Sequence, residues 1–166
     1  MSRTFSGEYT FRHPVEAVHG ALSSRVHWEQ RVAELGEQRA TLTGFSAANG
    51  ITTVEVTNVV APHLLPRAAA KYGDITVQIQ EEWHALVGDA ARGVMRGRVT
   101  AARVQTDGVF GLRANGADGC VLSLTGTVVC RLPMVGKAVE AGLEKAVTEG
   151  FGHNCEFIEQ WVDRQV

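Results

Sequence analysis

The spacing of apolar residues changes along the chain, and each spacing predicts one kind of element. Residues 3–11 alternate between apolar and polar side chains, which is typical of a half-buried strand. Residues 13–24 then carry apolar side chains at helical spacing, and Pro14 suits the first position of a helix. A second helix is predicted at 26–35, because Gly36 can form a left-handed helix end. The chain therefore predicts one strand followed directly by two short helices.

Strands dominate the middle of the chain. Residues 37–60 predict a hairpin that is closed by the turn pair Asn49-Gly50. Residues 61–74 contain two prolines and predict one short helical turn around 67–72. Four further strands are predicted at 75–87, 94–101, 102–114 and 120–132.

The last part of the chain predicts one long helix. Residues 134–162 place apolar side chains on one broad face, with charged residues such as Glu140 and Glu159 mostly opposite. Such a helix is about 40 Å long, and it can cover an antiparallel sheet only if that sheet curls around it. We therefore predict an α+β fold in a single domain, residues 1–166. It consists of a curved antiparallel sheet of about seven strands, two short helices after strand one, and a long C-terminal helix packed across the sheet.

Small residues recur at every fourth position of the long helix. Gly142, Ala146, Gly150 and Asn154 form one row on or beside its apolar face. A glycine inside a helix costs about 0.8–1.0 kcal/mol relative to alanine, so the row requires a structural reason. It allows either close packing of the helix on the sheet or an unfilled volume between them. The second alternative predicts a cavity wall.

Composition and charge restrict the class of protein. The chain has 166 residues, a formal net charge of −2 and 20% charged residues, which gives no electrostatic footprint for nucleic acid. The sequence shows neither a signal peptide nor the ~20 apolar residues of a membrane span, so we expect a cytoplasmic protein. Cys120, Cys130 and Cys155 lack the spacing of a zinc site or a disulfide framework. We expect no metal and no cofactor.

Two polar residues on the predicted inner face raise the question of chemistry. Glu81 shares the strand face of Ile79 and Trp83, and it points inward unless a bulge turns it out. An inward, desolvated Glu81 could act as a general base. Asn154 requires hydrogen-bond partners, which a strand, a water molecule or a bound ligand could provide. No phosphate-binding loop, dinucleotide-binding or hydrolase motif is present.

The order of elements resembles the START-like (SRPBCC) helix-grip superfamily, and local phrases resemble one branch of it, domain of unknown function 2505. The phrases are "HPVEAVHGALSS", "LLPRAAAKYGDITVQIQEEW" and "RLPMVGKAVEAGLEKAV" leading to "FIEQW". The resemblance implies a hydrophobic cavity between the sheet and the C-terminal helix, entered beside residues 61–74. It supplies no catalytic residues for this branch.

The function that the sequence favours is binding or carrying a small hydrophobic or amphipathic molecule, lipid-like or polyketide-like. The sequence does not decide between a monomer and a homodimer. The entrance loop is predicted to present His63, Leu64, Leu65 and Tyr72. The predicted pocket lining is Val54, Val56, Asn58, Ile79, Glu81, Trp83, Met95, Phe110, Leu122, Leu124, Leu143, Val147, Gly150, Phe151, Asn154 and Ile158.

Two other functions are compatible with the same sequence. A non-catalytic interaction or regulatory module of the co-chaperone type requires an exposed apolar patch rather than a cavity. A cavity enzyme, such as a cyclase, dehydratase or hydrolase, requires at least two ionisable or hydroxyl groups that converge in the pocket. The candidates for that second role are Glu81, Asn154, Tyr9 and His63.

Overall fold

The computed structural model describes residues 2–36, 39–60, 62–99 and 103–165, without the side chains of Ala70 and Tyr72. The strands are β1 (Arg3–Phe11), β2 (Ala40–Ala48), β3 (Ile51–Val59), β4 (Thr76–His84), β5 (Ala90–Val99), β6 (Val104–Ala114) and β7 (Cys120–Cys130). The α-helices are α1 (Val15–Leu22), α2 (Arg25–Leu35) and α3 (Gly136–Gln165), and two short 3₁₀ helices span Pro62–Leu64 and Arg67–Tyr72.

The strands form one curved, seven-stranded antiparallel sheet in the order β1-β7-β6-β5-β4-β3-β2. All neighbours except β1 and β7 are consecutive in sequence, as in an antiparallel meander. The β2–β3 turn is the predicted Asn49-Gly50 pair, and both residues have positive φ, as a two-residue hairpin turn of this type requires. The register shifts between Leu42 and Gly44, a bulge that bends the edge strand β2. The predicted fold class is confirmed.

Helix α3 lies across the sheet and packs against β1, β7 and α1. It begins at Gly136, two residues later than predicted, because Met134 has a positive φ of 67° and lies outside the helix. It ends at Gln165, three residues beyond the predicted end. Among the described residues, no helix combines the length and the apolar character needed to cross a membrane.

Strand boundaries in the middle of the chain differ from the prediction. Strand β4 ends at His84 rather than at Val87, which is 82% exposed in the turn that leads to β5. Strand β5 begins at Ala90, earlier than predicted, because Val87 and Ala90 exchange backbone hydrogen bonds that start the next strand. The predicted boundary between β5 and β6 falls at residues 100–102, which lie outside the described residues.

Two buried carboxylates attach α3 to the ends of strands. The Glu140 side chain accepts a hydrogen bond from the backbone N–H of Cys130, the last residue of β7, at 3.0 Å. The Glu159 side chain accepts from the backbone N–H of Arg12, just after β1, at 3.1 Å. Both residues are nearly inaccessible, so the prediction that they lie on the polar face of the helix was wrong. Charge-assisted bonds of this kind explain how carboxylates are accommodated there.

The core forms two clusters at opposite ends of the sheet. The larger cluster joins α1 and the C-terminal half of α3 to the sheet and includes Phe11, Leu112 and Ile158. The smaller cluster joins the start of α3 to the opposite ends of the strands, and it includes Val128 and Val139. Because α3 is packed at both ends, the space under its middle is enclosed by the strands that curve around it.

The imidazole of His27, on α2, is fully buried and has no hydrogen-bond partner among the described residues. Neither ring nitrogen has a partner among the described residues, and the ring packs against Trp28, Phe157 and Trp161 at centroid distances of 5.3–5.4 Å. Burial, with a smaller contribution from the charge of Arg31, lowers the pKa of His27 from 6.5 to about 4. The imidazole is therefore neutral in the folded protein at neutral pH.

We predict that His27 makes the protein acid-sensitive. The unfolded chain binds the His27 proton from about pH 6.5 downward, whereas the folded chain does so only near pH 4, so stability falls as the pH drops through this window. The loss should reach roughly 3 kcal/mol. In urea unfolding at several pH values, His27→Leu should show a flatter decline than the wild type. The exposed-residue variant His84→Gln should not, and equal slopes for His27→Leu and the wild type would contradict the prediction.

Candidate functional site

A cavity of about 410 Å³ lies between the middle of α3, the inner face of the sheet and helix α2. This volume falls within the ~300–1,000 Å³ that is usual for small-molecule sites. The inner face contributes side chains of alternating positions in β3, β4, β5 and β6, because successive residues of a strand point to opposite faces. Most of these side chains are apolar.

Strand parity and helix spacing account for most of the wall. The predicted pocket residues that line the cavity are Val54, Val56, Asn58, Ile79, Glu81, Met95, Phe110, Leu124, Leu143, Val147, Gly150, Phe151 and Asn154. Several of them, such as Val54 and Phe110, are almost inaccessible from outside and form its deep end.

Three predicted pocket residues do not line the cavity. Trp83, Leu122 and Ile158 are fully buried in the larger core cluster, where α1 and the C-terminal half of α3 cover the sheet. The Trp83 ring packs on that of Phe110 at a centroid distance of 4.6 Å. The alternation of side chains along a strand shows which face of the sheet they lie on. It does not show which end of that face is filled by the core, so these three assignments were wrong.

The mouth of the cavity opens beside the connection between β3 and β4. Of the residues assigned to the entrance loop, His63 and Leu64 line the cavity. Leu65 packs against the smaller core cluster instead, which corrects its assignment, and the side chain of Tyr72 lies outside the described residues. The exposed side chain of Arg39 completes this side of the rim.

The small-residue row on α3 has two different causes. A Cβ atom at Gly142 would collide with the backbone oxygen of Leu64, so this glycine permits close packing of the helix on the entrance loop. A Cβ atom at Gly150 would meet nothing within 4 Å, and this residue borders the cavity. Ala146 and Asn154 also line the cavity. The prediction of an unfilled volume therefore holds for the later part of the row and was wrong at Gly142.

Glu81 points into the cavity. Its pairing with Val54 and Met95 is regular, so the strand has no bulge there that would turn it outward. The carboxylate accepts a hydrogen bond from Nε1 of Trp83 at 2.9 Å, and its accessible surface faces the cavity. Burial raises the pKa of Glu81 from 4.5 to about 7, although the Trp83 bond opposes this shift. The group can therefore hold or release a proton near neutral pH.

Tyr9, the remaining candidate for cavity chemistry, does not line the wall. Its ring packs against Phe11 at a centroid distance of 4.7 Å, so its assignment is corrected. The Cys155 thiol is buried, and burial raises its pKa above the ordinary value, which keeps it protonated and unreactive. Among the residues that the structure describes, no three His, Cys, Asp or Glu side chains are grouped as a metal site would require.

Helix α2 contributes a wall that the sequence did not predict. The additional lining residues on this helix are Trp28, Arg31, Val32 and Leu35. The Nε–H of Arg31 donates to Oδ1 of Asn154 at 3.3 Å, which joins α2 to α3 across the mouth. Asn154 thus has a protein partner. The sequence alone did not decide whether its partner would be a protein group, a water molecule or a ligand. Nothing in the sequence indicated that an arginine of α2 would line the cavity.

Comparison with known proteins agrees with this geometry. The family described as "Protein of unknown function (DUF2505)" matches residues 6–162. The chain belongs to this family. A relative in Mycobacterium tuberculosis, "Uncharacterized protein Rv0481c", is 25% identical to this DUF2505 chain over 174 residues and covers 100% of both proteins.

Solved structures place this DUF2505 member in the START-like fold. The Zhui aromatase/cyclase from Streptomyces sp. R1128 superposes with a TM-score of 0.68 at 15% identity, covering 99% of this chain and 96% of that one. A START superfamily protein from Mycobacterium smegmatis superposes with a TM-score of 0.54 at 12% identity, covering 98% and 99%. The predicted resemblance to the START-like superfamily and to DUF2505 is confirmed.

Two of the glycines on α3 of this DUF2505 chain, Gly142 and Gly150, should respond in opposite ways to alanine. Gly142→Ala pushes a methyl group into the Leu64 carbonyl, and we expect a loss of roughly 1–3 kcal/mol of unfolding free energy. Gly150→Ala fits into open space and should gain up to about 1 kcal/mol from helix propensity. Chemical denaturation measures both variants. Equal effects at the two positions would contradict the assignment of one glycine to packing and the other to the mouth.

Proposed function

We propose that this protein binds and carries a small hydrophobic or amphipathic molecule in the cavity between the sheet and α3. The observation that supports this most is the cavity itself, about 410 Å³ with a largely apolar lining and one side open beside His63. An apolar pocket with a few polar groups is the usual form of a small-molecule site.

Two sets of polar groups in the cavity lining matter for an amphipathic ligand. Glu81 lies at its inner part, and Arg31 with Asn154 lies at its mouth. An amphipathic molecule could place its apolar body between these points and its polar atoms against them. This distribution favours a ligand that fills the space under α3 over one that only touches the rim.

A docking module without a small ligand has less support. Among the described residues, the exposed large apolar side chains are Val26, Val87, Val109 and Met134. They lie on α2, on the turn after β4, on β6 and before α3, so they do not form one contiguous patch. The apolar surface that is available for binding lies inside the cavity.

We also propose that the chain works as one domain in the cytoplasm. The two core clusters both include residues of α3 and of the sheet, which ties the ends of the chain together. Cys120 and Cys155 are buried cysteines that form no disulfide, which suits a reducing compartment.

Carrier function predicts saturable binding of a neutral apolar dye. We expect N-phenyl-1-naphthylamine to bind with increased fluorescence, because it can enter the cavity without a charge. Val56→Trp places a large ring on the cavity wall and should weaken binding by about tenfold or more, which corresponds to roughly 1.4 kcal/mol.

Thr57→Trp is the matched control, since its neighbouring position in β3 points to the opposite face of the sheet. It should bind the dye as the wild type does. Absence of dye binding by the wild type, or equal loss in both variants, would count against the cavity as the binding site.

The Glu81 geometry favours a second candidate function, a cavity enzyme that uses this carboxyl as a general acid or base. A group with a pKa of about 7 that faces an apolar cavity can exchange a proton with a bound molecule at neutral pH. His63 and Asn154 are the other predicted polar groups that border the same space.

The second candidate requires that Glu81 titrate near neutral pH. A ¹³C NMR titration should show one carboxyl with a pKa of about 7 that disappears in Glu81→Gln. Glu82→Gln, one residue further on the outer face, should leave that resonance in place. If the Glu81 carboxyl titrates at its ordinary value, it is hydrated and the proposed acid–base role has no basis.

A further inference from the structure

Arg31 is a buried cation on the wall of the cavity. Its residue surface is 9% exposed, although arginine is almost never buried without a partner. It lies on α2 beside Trp28 and Val32 and borders the mouth opposite α3. Burying a guanidinium in such a position is costly unless an anion or several hydrogen bonds compensate for the lost water.

The protein provides little compensation for this charge. The only side-chain hydrogen bond of Arg31 among the described residues runs from Nε to the neutral amide of Asn154 at 3.3 Å. The nearest carboxylate oxygen, on Glu34, is 3.9 Å from a terminal nitrogen, beyond hydrogen-bond distance, and the Glu34 side chain is 57% exposed. The guanidinium carbon also lies 5.6 Å from the centroid of the Phe157 ring. This cation–π contact brings no negatively charged group close to the guanidinium.

The other charged groups at the mouth leave Arg31 available. Arg39 and His63 add further basic groups to the rim. The Glu149 carboxylate, on the α3 side, lies 3.9 Å from Lys145 and is partly hydrated. Burial lowers the pKa of Arg31, because the charged guanidinium loses its hydration and no carboxylate lies within hydrogen-bond distance to compensate.

We infer that Arg31 binds the anionic head of an amphipathic carboxylic acid whose apolar body fills the cavity. The terminal nitrogens of a guanidinium match a carboxylate in size and geometry, and two parallel hydrogen bonds can form between them. The Asn154 bond holds the Nε side of the group in place. Inward from Arg31, the wall continues with apolar residues such as Val56, Val147 and Phe110, which suit a hydrocarbon body.

This inference rests on the proposed carrier function, and one displacement assay tests the two separately. N-phenyl-1-naphthylamine reports occupation of the cavity, and dodecanoate, 1-dodecanol and methyl dodecanoate compete with it. At about pH 7.5 dodecanoate is ionised, whereas the other two are neutral. We expect dodecanoate to displace the dye from the wild type at a concentration at least about tenfold lower than 1-dodecanol does.

Variants of Arg31 identify the source of this preference. Arg31→Gln and Arg31→Met should weaken dodecanoate binding about tenfold or more and change 1-dodecanol binding by less than about threefold. Arg31→Met keeps an apolar stem against Phe157, so it serves if the first variant is unstable. Glu34→Gln is the matched control on the same helix, and it should leave dodecanoate binding unchanged or make it tighter.

The outcomes separate as follows. If the dye binds but the acid and the alcohol compete equally, or if the Arg31 variants weaken both equally, the inference about Arg31 is wrong and the carrier function stands. If the dye binds and none of the three compounds displaces it, the inference is also overturned. If the wild type binds neither the dye nor dodecanoate, both proposals fail. Should both Arg31 variants fail to fold, the acid-to-alcohol ratio of the wild type decides alone.

Discussion

The attachment of α3 at its two ends is the constraint on which the rest of the structure depends. Glu140 and Glu159 are buried acceptors for backbone N–H groups at the ends of β7 and β1, and the two core clusters lie at the same ends. Between these points, α3 cannot approach the far strands without breaking one attachment. The sheet curves around the helix, and the space under the middle of α3 is what this geometry leaves unfilled. Gly142 belongs to the attached part, because it lets the helix touch the Leu64 carbonyl.

The cavity combines a scaffold that is common to many proteins with polar groups that are particular to this chain. Proteins of START-like fold share a sheet wrapped around a long helix, and such a fold accommodates many unrelated functions. What can select a ligand here is the placement of Arg31 at the mouth and of Glu81 inside. The first group keeps its charge at every physiological pH, whereas the second lies near its midpoint at neutral pH. The charges of the two groups therefore respond differently to pH.

The sequence predicted the order of elements well because local signals dominate in this fold. Alternation gave the strands, and the Asn49-Gly50 pair gave the hairpin turn. The same alternation could not separate the filled end of the sheet from the hollow part, so Leu122 was assigned to the cavity although it belongs to the core. Gly142 and Gly150 look equivalent along the helix, and only a carbonyl from a distant loop distinguishes them. Arg31 was missed because burial of a charged residue depends on tertiary packing that no local pattern records.

The central claim is that the middle of α3 stands away from the sheet and leaves an accessible apolar space. A crystal structure of the protein under xenon pressure tests this most directly, because xenon enters apolar cavities without specific polar contacts. The account predicts xenon density between Val54, Phe110 and Phe151, with the backbone unchanged. Side chains that meet across this space, with α3 in contact with the sheet along its whole length and no xenon density beneath it, would contradict the account.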